Sequence, residues 1–238
     1  MNQQGIAYRE LGKAWENACG IFNDLGGDVS PIQPVQVFVA DESRPRQPDR
    51  YAILVKPVVF EVPERAKNTL DLIFIVAKGR LGISAADARL LKTLDFSTEV
   101  AYFRQKKDDD KNSMKLDHVY GAHFDYAPGQ HGHPKFHVQM NDLDDLKSVL
   151  AAKYRVPTDD GSNYMTAILR NARLPSAQMD IFSFMLQVAA DHLIHKDSTA
   201  GDMAKLKDLT VEVAKLKGLP DLLPGVTANQ CTRSVHWY

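Results

Sequence analysis

A chain of 238 residues, 44% hydrophobic and 25% charged, has the composition of an ordinary globular protein and room for one large domain or two small ones. Its 29 Lys and Arg against 30 Asp and Glu leave a formal charge of -1, which excludes a wholesale nucleic-acid binder and allows only a local basic patch for that role. Two cysteines, Cys19 and Cys231, exclude a disulfide framework; the first residues lack the basic-then-apolar pattern of a secretory leader, and no apolar run approaches the roughly 20 residues of a bilayer span, so a cytoplasmic protein is expected.

Residues 7–25 are predicted to form a helix, because Ala7, Leu11, Ala14, Trp15, Ala18, Phe22 and Leu25 recur at three- and four-residue steps. Gly26-Gly27 is its predicted stop, since glycine tolerates the left-handed C-terminal conformation. Strand signals then run to residue 140. They comprise apolar 35–40, a Pro- and Arg-rich loop at 43–50, 51–62 with Pro57 allowed only at an edge or a bulge, and 70–77, expected to be buried on both faces. Gly79 and Gly82 mark a predicted turn, and Ser84 the cap of a short helix over 85–91. Residues 98–105 alternate as a strand. The stretch 106–111 reads as a charged turn, with Arg104, Lys106 and Lys107 balancing Asp108, Asp109 and Asp110. Residues 114–126 and 135–140 read as two strands of a hairpin about Pro128-Gly129.

From residue 142 the apolar spacing turns helical. Asn141 or Asp142 is expected to cap a helix reaching about residue 153, a shorter helix covers 163–172, Ser176 caps a strongly apolar helix through Leu193, and Ser198 precedes an amphipathic helix carrying Met203, Leu206, Thr210, Val213 and Leu216. Strands followed by helices indicate an α+β fold. The expectation is a single domain over 1–238, sheet-rich in 1–140 and helical in 141–238. A curved antiparallel sheet is preceded by an N-terminal helix and followed by a C-terminal helical region packed on one face.

Five of the eight histidines, His118, His123, His131, His133 and His137, crowd into twenty residues. Alternation puts Asp117, His123 and Asp125 on one face of their strand and Leu116, Tyr120, Ala122, Phe124 and Tyr126 on the other. On the next strand Lys135, His137 and Gln139 oppose Phe136, Val138 and Met140. If both apolar faces point at the core, His123, Asp125, Lys135, His137 and Gln139 share one polar surface. Three readings stay open. His123, Asp125 and His137 suit a divalent transition metal, although their spacing fits no standard zinc motif. Paired imidazoles, with an ordinary pKa of about 6.5, suit general acid and base roles, and Lys135 stabilisation of negative charge; this fits metal-free phosphodiester cleavage. Hydrogen-bonded histidines without chemistry are the third.

Elsewhere the signals are thinner. Arg155 and Arg173 each stand two residues before a proline and, with Gln139, are candidate ligands for a small anion. Arg44, Arg46 and Arg50 form a basic loop that reads more readily as solvated. Gln187, Asp191 and His195 follow at four-residue steps on one helix face, a spacing typical of local ion pairs. Gly79-Arg80-Leu81-Gly82 lacks the lysine and spacing of a phosphate loop. The terminal Trp237 and Tyr238 suit docking in a groove or a disordered chain end.

The strings His123-Phe124-Asp125-Tyr126 and His133-Pro134-x-Phe136-His137-x-Gln139 resemble a signature of uncharacterised bacterial domains, found in genes associated with mobile elements and phage defence. Tyr154-Arg155-Val156-Pro157, and Leu174-Pro175 before an apolar helix, fit the same pattern, so the resemblance covers roughly residues 115–195. It implies a setting rather than an activity. The expected function is a phosphodiesterase- or nuclease-type hydrolase of a defence or toxin-like system, acting through the His/Asp face. The alternatives are a non-catalytic scaffold for a protein partner encoded nearby and a sensor of a small anionic ligand. The near-zero charge does not support nucleic acid as partner.

Overall fold

Strands too long for a single hydrophobic run organise this chain. The computed structural model describes residues 3–30, 35–40, 50–64, 72–84, 92–108, 113–126, 136–140, 143–155, 158–159, 174–176 and 179–216. In chain order these form α1 (Gln3–Asp24), β1 (Asp28–Ser30), β2 (Val35–Ala40), β3 (Arg50–Pro63), β4 (Leu72–Ser84), β5 (Lys92–Asp108), β6 (Ser113–Tyr126), β7 (Phe136–Met140), α2 (Asp144–Tyr154), β8 (Thr158–Asp159), β9 (Leu174–Pro175), α3 (Ile181–Val188) and α4 (Ala200–Leu216). Residues Ala189–Leu193 extend α3 by a π-helical turn.

The strands make one nine-stranded sheet, ordered β1-β3-β4-β5-β6-β7-β9, with β2 also on β3 and the two-residue β8 parallel to β6; every other pairing is antiparallel. The sheet is curved and does not close, and the fold is α+β. No helix among the described residues is long and apolar enough to cross a membrane.

Both faces of the sheet are covered, by different means. One carries Ile53, Val55, Phe60, Ile75, Ala77, Leu81, Phe96, Val100, Ala122 and Phe136, and packs against α1, α3, the π turn and α4. Its aromatic contacts run from Trp15 on Phe182 to Phe60 between Phe22 and Phe184. The other face carries Val59, Phe74, Val76, Ala101, Phe103 and Leu116, and is covered by Leu143, Leu146 and Leu150 of α2 and its N-cap. The helical half therefore does not lie wholly on one side. Residues 74–77 are buried in succession because helices close on both faces there.

Bulges decide which side chains face where, since one extra residue reverses a strand's parity. The β3–β4 register shifts between Val55 and Val58, placing Pro57 at a bulge. A second shift makes Val119 the extra residue of β6, between the pairs Tyr102–Tyr120 and Phe103–His118. N-terminal to it, Leu116 sits on the α2 side with Phe103, not with Tyr120 and Ala122 as strict alternation predicts.

Other expectations shift in instructive ways. Gly26, at φ 96°, follows α1 as predicted. The glycines 79 and 82 do not make a turn: β4 runs through both, paired on either side. Gly79 instead gives α3 room, because a Cβ there would lie 2.7 Å from that of Ile181. β5 continues to Asp108, and Arg104 bonds Glu64 at 2.6 Å; the side chains of Asp108, Asp109 and Asp110 lie outside the described ones. α2 has Leu143 at its N-cap position, without a side-chain cap bond. Asp180, not Ser176, caps α3, accepting from the backbone N–H groups of Phe182 and Ser183. Thr199 and Asp202 exchange bonds at the start of α4, a capping box, while Ser198 turns back to His195. Expectations about Ser84 as a cap, 85–91, Pro128-Gly129, 163–172, and Trp237 with Tyr238 lie outside the described residues or side chains.

Candidate functional site

α2 covers only part of its sheet face; beyond its N-terminus the same face turns polar. The hairpin register brings the predicted residues together: His123 stands opposite Gln139, Asp125 opposite His137, and the apolar Phe124 and Tyr126 opposite Val138 and Phe136. The row extends across the sheet. Lys78, Glu99, His123 and Gln139 are successive register partners on β4, β5, β6 and β7, and Arg80, Ser97, Asp125 and His137 form the neighbouring row.

At its centre Asp125 Oδ1 lies 2.9 Å from His123 Nε2, and Asp125 Oδ2 lies 3.9 Å from His137 Nε2. Ser97 Oγ is 3.0 Å from that same His123 Nε2. His123 and Asp125 are about one quarter exposed, whereas His137 is nearly buried. The hydrogen bond His123 donates to Asp125 raises the His123 pKa above the ordinary imidazole value; partial burial and Lys78 work against it, and Glu99 adds to it. His118 is also buried on this face, but against the Phe103 ring, 5.2 Å between centroids, under α2.

Among the described residues, the cations Lys78 and Arg80 of this face are engaged. Lys78 bonds Glu99 at 2.9 Å and also Asp145 in the first turn of α2. Burial disfavours its charge, but the two carboxylates outweigh burial and leave its pKa raised. Arg80 bonds Asp95 at 2.9 Å. Among the described residues, Lys78 and Arg80 thus share this face with the carboxylates Asp95, Glu99, Asp125 and Asp145.

Other sequence candidates are not brought to this cluster. Arg155 is the left-handed C-cap of α2, at φ 54°. That end of the helix is tied to β3, where Lys153 and Tyr154 bond Glu61, about 16 Å along the axis from the end that meets Lys78. On the far helices, Asp191 accepts from Gln187, and Ser198 Oγ lies 2.9 Å from His195 Nδ1. Lys135, Arg173, His131 and His133 lie outside the described residues, as do the side chains of Arg44, Arg46 and Arg50. Among the described residues, no three His, Cys, Asp or Glu side chains are grouped to hold a metal ion. Cys19 is a buried free thiol whose pKa burial pushes up to about 12.

Sequence reasoning missed Ser97, Glu99, Lys78 and Arg80. For Ser97 and Glu99 the signal is the alternation of Asp95, Ser97 and Glu99 with Phe96, Thr98 and Val100 along β5. The chain matches no family model, no curated protein and no solved structure.

Proposed function

We propose that this polar half-face is a hydrolytic site working by proton transfer, with a phosphodiester as substrate. One observation carries the reading: a single carboxylate, Asp125, bonds the part-exposed His123 and faces the nearly buried His137. His123 meets the substrate and moves the proton, and Asp125 stabilises its charged form. His137 positions Asp125 from below. Lys78 and Arg80 supply positive charge beside developing phosphoryl oxygens, the part first read into Lys135. Among the described residues, Lys78 and Arg80 are both already paired with carboxylates, a poor field for a long polyanion, so the reading favours a small phosphodiester over a polynucleotide. The resemblance of the His123–Gln139 strings supplies the setting, a cytoplasmic component of a bacterial defence or mobile-element system. A version using a divalent metal would need ligands beyond His123, Asp125 and His137, since no three such side chains among the described residues are grouped to hold one ion.

The test is hydrolysis of bis(4-nitrophenyl) phosphate and of dinucleotides between pH 6 and 9, with metal content measured on the same preparations. His123→Ala should lose about 10²- to 10⁴-fold in rate with its circular dichroism unchanged. Equal rates in wild type and a folded His123→Ala, His137→Ala variant would sink the reading. About one equivalent of metal, lost in that double variant, would replace the metal-free version with the metal-bound one.

A second reading, a scaffold for a protein partner, is favoured by the closed bonding of the face. Lys78, Arg80 and His123 all find partners within the chain, and Leu54, 40% exposed, extends the Arg80 row as an apolar neighbour. A scaffold keeps its partner when His123 is replaced.

A further inference from the structure

Resting on the hydrolytic reading above, we propose that Ser97 is the nucleophile of this face and that the reaction passes through a phosphoseryl intermediate. The argument begins with one atom. His123 Nε2 lies 3.0 Å from Ser97 Oγ and 2.9 Å from Asp125 Oδ1. A ring nitrogen is either a lone pair or an N–H. As a lone pair it accepts from the Ser97 hydroxyl; as an N–H it donates to the Asp125 carboxylate. Taking the serine proton therefore exchanges one partner for the other with no movement of the ring. The familiar serine–histidine–aspartate arrangement uses the two different ring nitrogens for these jobs. Here one nitrogen does both, and the carboxylate waits where the transferred proton arrives.

The sheet builds this pair. Ser97 and His123 are 26 residues apart and lie on adjacent strands, β5 and β6, with Ser97 directly opposite Asp125. On its other side Ser97 faces Arg80, its register partner on β4, a cation beside the oxygens of a phosphoryl group attached to Ser97. The other serine–histidine contact, Ser198 with His195, differs in kind. It spans three residues, and the Ser198 hydroxyl also accepts the His195 backbone N–H, as a local turn requires.

The steps balance without any further reagent. Ser97 Oγ attacks phosphorus and its proton passes to His123 Nε2. The bond from phosphorus to the leaving alkoxide breaks, and that oxygen takes the proton and departs as an alcohol. Water then attacks phosphorus and gives a proton to Nε2, the bond to Ser97 Oγ breaks, and Ser97 recovers the proton. The products are an alcohol and a phosphomonoester. Since the imidazole must start unprotonated, and Asp125 raises its pKa, turnover rises with pH through a value above 6.5.

The experiment is labelling of the full chain at pH 8 with a fluorophosphonate probe, read by intact mass and peptide mapping, beside hydrolysis of bis(4-nitrophenyl) phosphate. The expected result is one adduct on Ser97, absent from Ser97→Ala, unchanged in Ser198→Ala, and formed at least about 10-fold more slowly in His123→Ala. Asp125→Asn should move the pH profile of labelling to lower pH, which a purely structural aspartate would not do. Absence of an adduct on Ser97 in the wild-type chain overturns the proposal, and this outcome needs no variant to fold. Hydrolysis that persists in Ser97→Ala overturns it too, while leaving the acid–base reading in place. Labelling of Ser97 without diester hydrolysis supports the nucleophile and removes the phosphodiester.

Discussion

Replacing Asp180 by alanine tests how α3 is anchored. Asp180 is 1% exposed, and its carboxylate accepts from Phe182 N at 3.1 Å, Ser183 N at 3.0 Å and Ser183 Oγ at 2.7 Å. Loss of an N-cap costs about 1 kcal/mol, in a range of about 0.5–2. The Ser183 hydroxyl, left facing an alanine, adds a desolvation cost of about 1–3 kcal/mol. Ser183 is 9% exposed and has some access to water, so the lower end of that range applies and the total is about 2 kcal/mol. For a chain of this length that corresponds to a fall of about 4–8 °C in Tm. Asp180→Asn keeps an acceptor for both N–H groups and should cost less than about 1 kcal/mol. Removing the hydroxyl as well, in Asp180→Ala, Ser183→Ala, should show a favourable coupling of about 1 kcal/mol. Urea unfolding followed by circular dichroism measures all three. A loss under about 0.5 kcal/mol in Asp180→Ala, or strict additivity in the double variant, would refute the reasoning.

Two histidines should titrate on opposite sides of the ordinary value. His123 is raised by Asp125; His192, on the π turn, is lowered by burial, with Asp191 opposing. The raised group contributes stability that is full below pH 6.5 and is lost as pH rises through its folded value; the lowered one contributes stability present above pH 6.5 and lost as pH falls through its folded value. Proton NMR of the imidazole resonances checks both, and Asp125→Asn should bring His123 down while leaving His192 where it was. The His123 pair is part exposed, so its effect on the free energy of unfolding stays within about 1 kcal/mol.

Two Gly→Ala changes should have opposite signs. At Gly79 the new methyl meets Ile181 at 2.7 Å, an overpacking cost of about 1–3 kcal/mol. At Gly20, exposed within α1 with nothing within 4 Å, helix propensity should add about 0.5–1 kcal/mol. Thermal melts that moved the same way would contradict the packing described for β4 and α3.

The half of the site that sequence made legible is the half with period-two alternation on both strands. Phe124 and Tyr126, and Val138 and Phe136, had to face the core, which obliged His123, Asp125, His137 and Gln139 to face away together. What was illegible depends on residues far apart or on a single extra one. Val119 flips Leu116 to the α2 side, yet nothing in the composition of Leu116–Tyr120 marks a bulge. Lys78 meets Asp145 across 67 residues, a pairing that only the placement of α2 creates. Asp180 and Ser176 are equally good cap residues by type; the choice is made where the chain leaves the sheet, and the Ser176 N–H is spent on the Phe136 carbonyl.

The packing of α1 against α4 has a consequence for how the chain reaches this structure. Strands β3 to β6 pair in the order they are made, each hairpin closing a short loop. Lys205 of α4, by contrast, bonds the Asp24 carbonyl of α1 across 181 residues. In an unstructured chain, closing that loop costs about 2–3 kcal/mol more than closing a ten-residue one. Once the meander is formed, the sheet itself spans most of that distance, and the penalty shrinks to the segments that flank it. Loop closure therefore favours an order in which the helices at either end of the described chain dock after the meander, and in that order Trp15 and Phe22 are buried only with the last step.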